Sequence, residues 1–269
     1  MDKCRLILDG ASSAFRNMAV DESLFECAAG SPVSATLRLY GWSPAAVSLG
    51  RRQKWQEIDV GACRELGLDA VRRISGGGAV YHHDEITYSF VARTDCEPFT
   101  DSQKWRRVFC GLLKKLGVEA DKADKADAAN LYKGKAIKSA GTNCFSYANE
   151  DEPTINGLKW VGSARRKNRK GFMQHGSILL KAQPKILGDF LGGRESDGSV
   201  GLMEIDPGLD FYGIRGALVD SVKDVFGFPF IEGEFSEKEL ELAEKFEAEK
   251  INEWDSAKAG ELSACRNAS

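Results

Sequence analysis

Residues 72–82 read Arg72-Arg73-Ile74-Ser75-Gly76-Gly77-Gly78-Ala79-Val80-Tyr81-His82, set between an apolar run that ends at Val71 and another that begins at Ile86. A glycine triplet loses a great deal of conformational freedom on ordering, so between two structured runs it marks a place where the backbone comes close to something. Consecutive N–H groups in such a turn form a concavity for an anion or a carbonyl oxygen. The flanking arginines add fixed charge on a planar donor fork. Taken alone, a glycine triplet is more often a flexible hairpin connection with solvated arginines; the segments around this one reverse that preference and point to a site.

Those segments alternate between strand and helix patterns. Apolar side chains at Phe15, Met18, Ala19, Leu24 and Phe25 predict an amphipathic helix over Ala14–Cys27. Thr36–Tyr40 alternates as a strand stopped by Gly41 and Pro44, and Ala46–Leu49 is a second, stopped by Gly50. Val60–Leu66 reads as a helix capped by Gly67, Ala70–Arg73 leads into the glycine turn, and Ile86–Ala92 leaves it as a strand. Ser102–Leu116 predicts a helix with Trp105, Val108, Phe109, Leu112, Leu113 and Leu116 on one face. Residues 121–130 are small and charged and read as an exposed connection, while Leu158–Val161 and Gln174–Leu180 read as strands. Phe211–Phe226 and Ser236–Trp254 predict two more helices, the last opened by the capping signature Ser236-Glu237-Lys238-Glu239. Strands mixed with helices, without a regular βαβ repeat, predict an α+β or mixed α/β domain. A length of 269 residues fits one large domain, with a helical tail at about 234–256.

With 42% hydrophobic residues the chain can build an ordinary core, and its formal charge of −3 gives no global footprint for nucleic acid. No apolar run approaches the roughly 20 residues of a membrane span, so no membrane partner is expected and the cytoplasm is the expected compartment. Seven cysteines at 4, 27, 63, 96, 110, 144 and 265 are scattered, with no C-x-x-C pair and no Cys/His spacing typical of zinc. No disulfide framework and no metal site are expected. Cys63 and Cys110 read as small core residues within helices.

Three segments combine small residues with a reactive group: the glycine turn with His82, Lys159–Ala164 followed by Gln174–Ser177, and Gly141–Phe145. Lys159 precedes Gly162-Ser163-Ala164, which would let a ligand approach a strand closely. Facing a pocket it would polarise a carbonyl or hold a phosphate; otherwise it is a solvated edge lysine. Cys144 lies in a polar stretch, where nearby positive charge would make it a thiolate nucleophile and where an inert loop thiol is the alternative. His82 and His175 beside glycines could order a pocket. The chain lacks G-x-G-x-x-G, G-x-x-x-x-G-K-[ST] and G-x-S-x-G.

In order along the chain, Asn17–Glu22, Leu39–Pro44, Ser48–Gly50, Arg72–His82, Gly162–Ala164 and Gln174–Leu179 resemble blocks of the lipoate/biotin protein ligase and acyltransferase superfamily. The resemblance runs from about Asn17 to Leu180. It implies a mixed β-sheet flanked by helices in a biotin/lipoate ligase-like fold, with residues 1–269 as a single catalytic domain. Two activities compete within it. One branch adenylates free lipoate with ATP and Mg²⁺ and passes the acyl group to a carrier-domain lysine. The other, an octanoyltransferase, moves an octanoyl group from acyl carrier protein through a cysteine thioester and needs no nucleotide cofactor.

Cys144-Phe145 ahead of the lysine and Asp84-Glu85-Ile86-Thr87-Tyr88-Ser89 after the turn match the cysteine branch. Gly78 stands where that branch commonly has Arg, Arg165 follows Gly-Ser-Ala where Gln is usual, and His83 replaces a common acid. Ser75 and Tyr81 look more ligase-like, and Lys133–Gly141 imitates a ligase lysine motif. The position of Cys144 outweighs these departures, so octanoyl transfer is the expected activity and ATP-dependent ligation the alternative; an inactive acyl-binding module is a third. The resemblance assigns Cys144 and Lys159 as catalytic. It assigns substrate binding to Arg72, Arg73, Ser75, Gly76, Gly77, Gly78, His82, Gly162, Ser163, Ala164 and His175. The implied partners are octanoylated acyl carrier protein as donor, and a lipoyl carrier domain, such as glycine cleavage H protein or a 2-oxoacid dehydrogenase E2, as acceptor.

Overall fold

A computed structural model describes residues 3–95, 101–121, 152–184 and 198–267, with side chains up to Gly260. Cys96, Cys144, the Lys133–Gly141 run, residues 122–130 and the side chain of Cys265 lie outside the described residues. The elements are β1 (Cys4–Ser12), α1 (Ala14–Cys27), β2 (Ala35–Trp42), β3 (Ala46–Leu49), α2 (Val60–Glu65), β4 (Asp69–Arg72), β5 (Val80–His82) and β6 (Glu85–Ala92). There follow α3 (Ser102–Lys115), β7 (Val161–Lys167), β8 (Phe172–Leu179), a short α4 (Leu202–Ile205), α5 (Phe211–Phe226), β9 (Phe230–Glu232) and α6 (Glu237–Asn267). Six strands form a mixed sheet in the order β7-β8-β6-β2-β1-β9, and β4-β3-β5 form a second, smaller sheet.

Strand alternation divides the large sheet into an apolar face and a polar one. Leu37 and Leu39 pair in register with Phe90 and Tyr88, and their side chains join Trp105, Phe109, Leu112 and Phe226 of α3 and α5 in the largest core cluster. Trp105, Val108, Phe109, Leu112 and Leu113 are all but completely buried. Each contributes about 1.5–3 kcal/mol of burial, which outweighs the tenths of a kcal/mol in helix propensity and fixes α3 against the sheet. The opposite face carries the intervening residues in two rows. Register aligns Ala164, His175, Ser89 and Arg38 in one, and Gly162, Ser177, Thr87 and Tyr40 in the next. Helix α1 and the small sheet cover this face, with Phe15, Met18 and Trp42 packed against Val47, Leu49 and Val71.

Most predicted elements fall where the pattern put them, α1 and α5 with the same bounds. Strand β1 is the main omission: Leu6 and Ile7 are buried consecutively, so no alternation announces it. The strand predicted at Leu158–Val161 begins instead at Val161 and runs through Arg165-Arg166-Lys167. It is a sheet edge, where charged side chains are the usual protection against further pairing. The tail helix extends past the predicted 254 to Asn267; its capping box forms, Ser236 N–H donating to Glu239 and Glu239 N–H to Ser236 Oγ. Cys63 is buried as expected, whereas Cys110 is half-buried.

The glycine turn packs on residues 50–53. A Cβ added at Gly50 would sit 2.0 Å from the Gly77 carbonyl oxygen, and Gly77 itself holds φ of 96°. Both positions therefore require glycine. Gly50→Ala is expected to lower stability by about 1–3 kcal/mol through overpacking against backbone, read as a fall in the denaturant midpoint. An unchanged midpoint would mean that the turn adjusts freely.

Candidate active site

A narrow cavity, enclosing about 380 Å³ with its mouth, opens against the polar face of the large sheet. Met18, Trp42, Val80, Gly162, Ala164 and Gly176 give it a wall of apolar and small groups. Gly176 allows the closest approach: a Cβ there would lie 2.1 Å from the Gly162 carbonyl oxygen, so β7 and β8 meet without side chains between them.

Two buried hydrogen-bonded relays converge on this cavity. In the first, Arg38, fully buried on β2, donates to Asp21 Oδ1 at 2.9 Å, to Asn17 Oδ1 at 2.9 Å and to Asp9 Oδ2 at 2.9 Å. Its guanidinium lies 3.8 Å from the centre of the Tyr40 ring, and the Tyr40 hydroxyl donates to Asp21 Oδ2. The same carboxylate oxygen meets His175 Nδ1 at 3.0 Å, and His175 Nε2 meets Ser75 Oγ at 2.5 Å. Burial alone would raise the Asp21 carboxyl, but the hydrogen bond from His175, the Arg38 charge and the Tyr40 hydroxyl hold it below the ordinary aspartate range. The ionised carboxylate can only accept, so His175 Nδ1 carries a proton and donates to it.

The second relay runs Ser48–His82–Glu85. Ser48 Oγ lies 2.8 Å from His82 Nε2, and His82 Nδ1 lies 2.9 Å from Glu85 Oε1. That oxygen also accepts from Ser177 and Thr87, and Thr87 accepts from the Trp42 indole, whose ring stacks on His82 at 3.8 Å. Burial depresses the His82 pKa against the opposing pull of Glu85. In the unfolded chain His82 takes up a proton as pH falls through about 6.5, while the native ring refuses it until lower pH. The unfolded state then binds more protons, so stability declines as pH drops below about 6.5, by up to ~1.4 kcal/mol per pH unit from this group. Denaturant titrations between pH 7.5 and 5.5 are expected to show that slope in the wild type and a shallower one in His82→Gln.

The glycine turn is held from within. Arg73, 5% exposed, donates to the carbonyls of Gly76 and Gly78 at 2.7 Å each and to Ser48. It lines the cavity and fixes the shape of the turn. Arg72 points elsewhere, binding Glu253 of α6 at 2.8 Å and stacking over Trp55. Of the two arginines read from sequence, the structure brings only Arg73 to the cavity.

Lys159, 3% exposed, lies beside β7 in an isolated bridge with Ser199. Its Nζ is 2.9 Å from Glu152 Oε2, and Glu152 Oε1 accepts from Ser163 N–H and Oγ at 2.6 and 2.8 Å. Lys159 thus reaches the cavity wall through Glu152 and Ser163. The structure gathers Arg73, His82, Gly162, Ser163, Ala164 and His175 around the cavity, with Ser75 behind His175, while Gly76–Gly78 face a neighbouring groove. Asp21 and Glu85 lie in blocks that carried the resemblance but were not assigned to the site, and Arg38 and Glu152 escaped the sequence reading. Arg38 and Glu85 carried a signal, a charged residue in an otherwise buried strand; Glu152 carried none. Among the described residues no group of three or more His, Cys, Asp or Glu is arranged to hold a metal, and no helix is long and apolar enough to cross a membrane.

Solved structures share this architecture. Lipoate-protein ligase A bound with ATP superposes with a TM-score of 0.77 at 20% identity, covering 96% of this chain and 100% of the other. A bipartite lipoate protein ligase from Thermoplasma acidophilum, studied with its E2 lipoyl domain, gives 0.73 at 19% identity, covering 92% and 93%. The fold is therefore that of the lipoate-ligase-like enzymes. Residues 13–206 match the lipoyl protein ligase A/B catalytic domain, and the chain belongs to that family. Relatives include octanoyltransferase LipM of Clostridioides difficile, 31% identical over 94% of this chain and 99% of the relative. LipM of Kyrpidia tusciae is 33% identical over 95% and 99%. The protein is an acyl-transferring enzyme.

Proposed function

We propose that the protein moves an octanoyl group from octanoylated acyl carrier protein to the lysine of a lipoyl carrier domain, through a thioester on Cys144 and without a nucleotide. The observation that carries this reading is the similarity to octanoyltransferases over nearly their whole length. The narrow apolar cavity supports it, since a carrier-bound alkyl chain gains about 0.8 kcal/mol for each buried CH₂. In the first half-reaction the Cys144 thiolate attacks the donor thioester carbonyl and the carrier thiol leaves. In the second, the ε-amine of the acceptor lysine attacks the octanoyl-enzyme, the Cys144 thiolate leaves and the amine gives up a proton. Lys159, set by Glu152, holds the acyl carbonyl and stabilises the charge that develops on its oxygen. His82 accepts the amine's proton, for which a neutral ring backed by Glu85 is suited. The whole chain acts as one catalytic unit, α6 included, since Trp254 packs into the core beneath the small sheet.

Intact-mass spectrometry after mixing the protein with octanoylated acyl carrier protein, without ATP, tests the reading. A hydroxylamine-labile octanoyl adduct is expected on the wild type and not on Cys144→Ala. No adduct, with acylation of a lipoyl domain from free lipoate only when ATP and Mg²⁺ are supplied, would make the protein a ligase. Tight acyl binding with turnover from neither source would make it an inactive module.

A further inference from the structure

On the outer side of the glycine turn lies a second and larger cavity, an open groove enclosing about 1430 Å³ with its mouth. Arg51, Arg52, Arg165, Arg166 and Lys167 line it, against a single carboxylate, Glu57. Glu57 is already occupied by the Lys54 N–H and the Gln53 amide. This concentration of positive charge belongs to a chain whose net charge is −3. Arg51, Arg52 and Lys167 are exposed, whereas Arg165 is anchored on Gln174 and Arg166 on the Ile74 carbonyl. Gly76, Gly77 and Gly78 form the floor. Their carbonyls at 76 and 78 face inward to Arg73, and none of their N–H groups finds an acceptor among the described residues. Such N–H groups beside arginine forks suit a phosphate.

The groove and the acyl cavity are lined by consecutive residues of the same two segments. Along β7, Gly162, Ser163 and Ala164 line the cavity and Arg165, Arg166 and Lys167 the groove; along the turn, Arg73 lines the one and Ile74–Gly78 the other. We propose that this groove seats the phosphate-linked arm of the acyl donor, the phosphodiester lying on the glycine turn and the arginines so that the thioester end enters the cavity past residues 74–75 and 164–165. The assignment rests on the octanoyltransferase reading above. It favours the donor over the acceptor because the acceptor presents an amine, which a cationic groove repels.

The test compares wild type with the exposed pair Arg51→Glu/Arg52→Glu on two donors, octanoylated acyl carrier protein and octanoyl-N-acetylcysteamine, a thioester without phosphate. The KM for the carrier is expected to rise at least ten-fold, with kcat/KM for the small thioester changed less than two-fold. Titration with unacylated carrier gives a second reading: wild type should bind the form bearing its phosphopantetheine arm at least ten-fold more tightly than the form lacking it, and the variant should lose that preference. Equal losses on both donors, no loss on either, no preference for the arm, or displacement of the arm by ATP would each overturn the assignment. If the wild type used neither donor and needed ATP instead, the function proposed above would fall, and the arm-dependent binding comparison alone would decide the groove.

Discussion

Asp21→Leu is expected to lower the stability of the protein by about 3–5 kcal/mol, the usual consequence of deleting one partner of a buried ion pair. Arg38 is completely enclosed and Asp21 is 1% exposed. Without the carboxylate the guanidinium keeps Asn17 and the counter-charge of Asp9, which is part-exposed and offsets only part of the loss, so the effect is expected at the lower end of that range. The loss spreads further, because Asp21 also orients Tyr40 and His175. Two controls separate the causes. Asp21→Leu combined with Arg38→Met removes both charges and is expected to recover part of the loss, since matched apolar replacement of a buried pair is often close to neutral. Acid titration supplies the other: the lowered Asp21 carboxyl contributes stability that is present above about pH 3.8 and disappears as pH falls through its folded value. The variant should lose this part of the wild-type acid slope. A measured loss under 1.5 kcal/mol at pH 7 would show that water or backbone compensates Arg38.

The same pair shows how far the sequence could be read. Helices α3 and α5 were legible because each buries one face and leaves the other polar, which writes a 3.6-residue period into the chain; α1 was legible from its apolar residues alone, since most of it is buried. Strand β2 was legible as alternation, yet Arg38 breaks the simple meaning of that pattern: both of its faces are buried, one apolar and one made of ionised and hydrogen-bonded groups. Alternation reports polarity, and here the polar face is a site and not a surface. The glycine turn pointed to the right neighbourhood because Gly50 and Gly77 meet there backbone to backbone. It overstated the arginines, since Arg72 ends β4 and turns to Glu253 while Arg73, the next residue, turns to the Gly76 and Gly78 carbonyls. Pairings such as Asp21 with His175 and Glu152 with Ser163 leave no local trace, because Asp21 comes from α1 and Glu152 from outside any strand, and only the packing of the folded chain brings them to β8 and β7.

Lys159→Met is expected to reduce octanoyl transfer by about 10²–10³-fold, the range found when a donor to a developing oxyanion is removed, with little change in the KM for the donor. Glu152→Gln keeps an oxygen to accept from Ser163 but withdraws the negative charge 2.9 Å from the Lys159 ammonium. The lysine then loses the group that fixes its direction, and transfer should fall at least ten-fold while the protein stays folded. The decisive variant is the double one. Groups that act as a unit are strongly non-additive, so Glu152→Gln added to Lys159→Met should cost almost nothing more. If Glu152 only braces the backbone at Ser163, the two losses should multiply instead. Single-turnover acylation of the enzyme by octanoylated acyl carrier protein, followed by mass spectrometry, reads the first half-reaction, and chasing the octanoyl-enzyme with a lipoyl domain reads the second, without interference from product release. A double variant slower than Lys159→Met by the full Glu152→Gln factor would remove Glu152 from the chemistry and leave it a purely structural carboxylate.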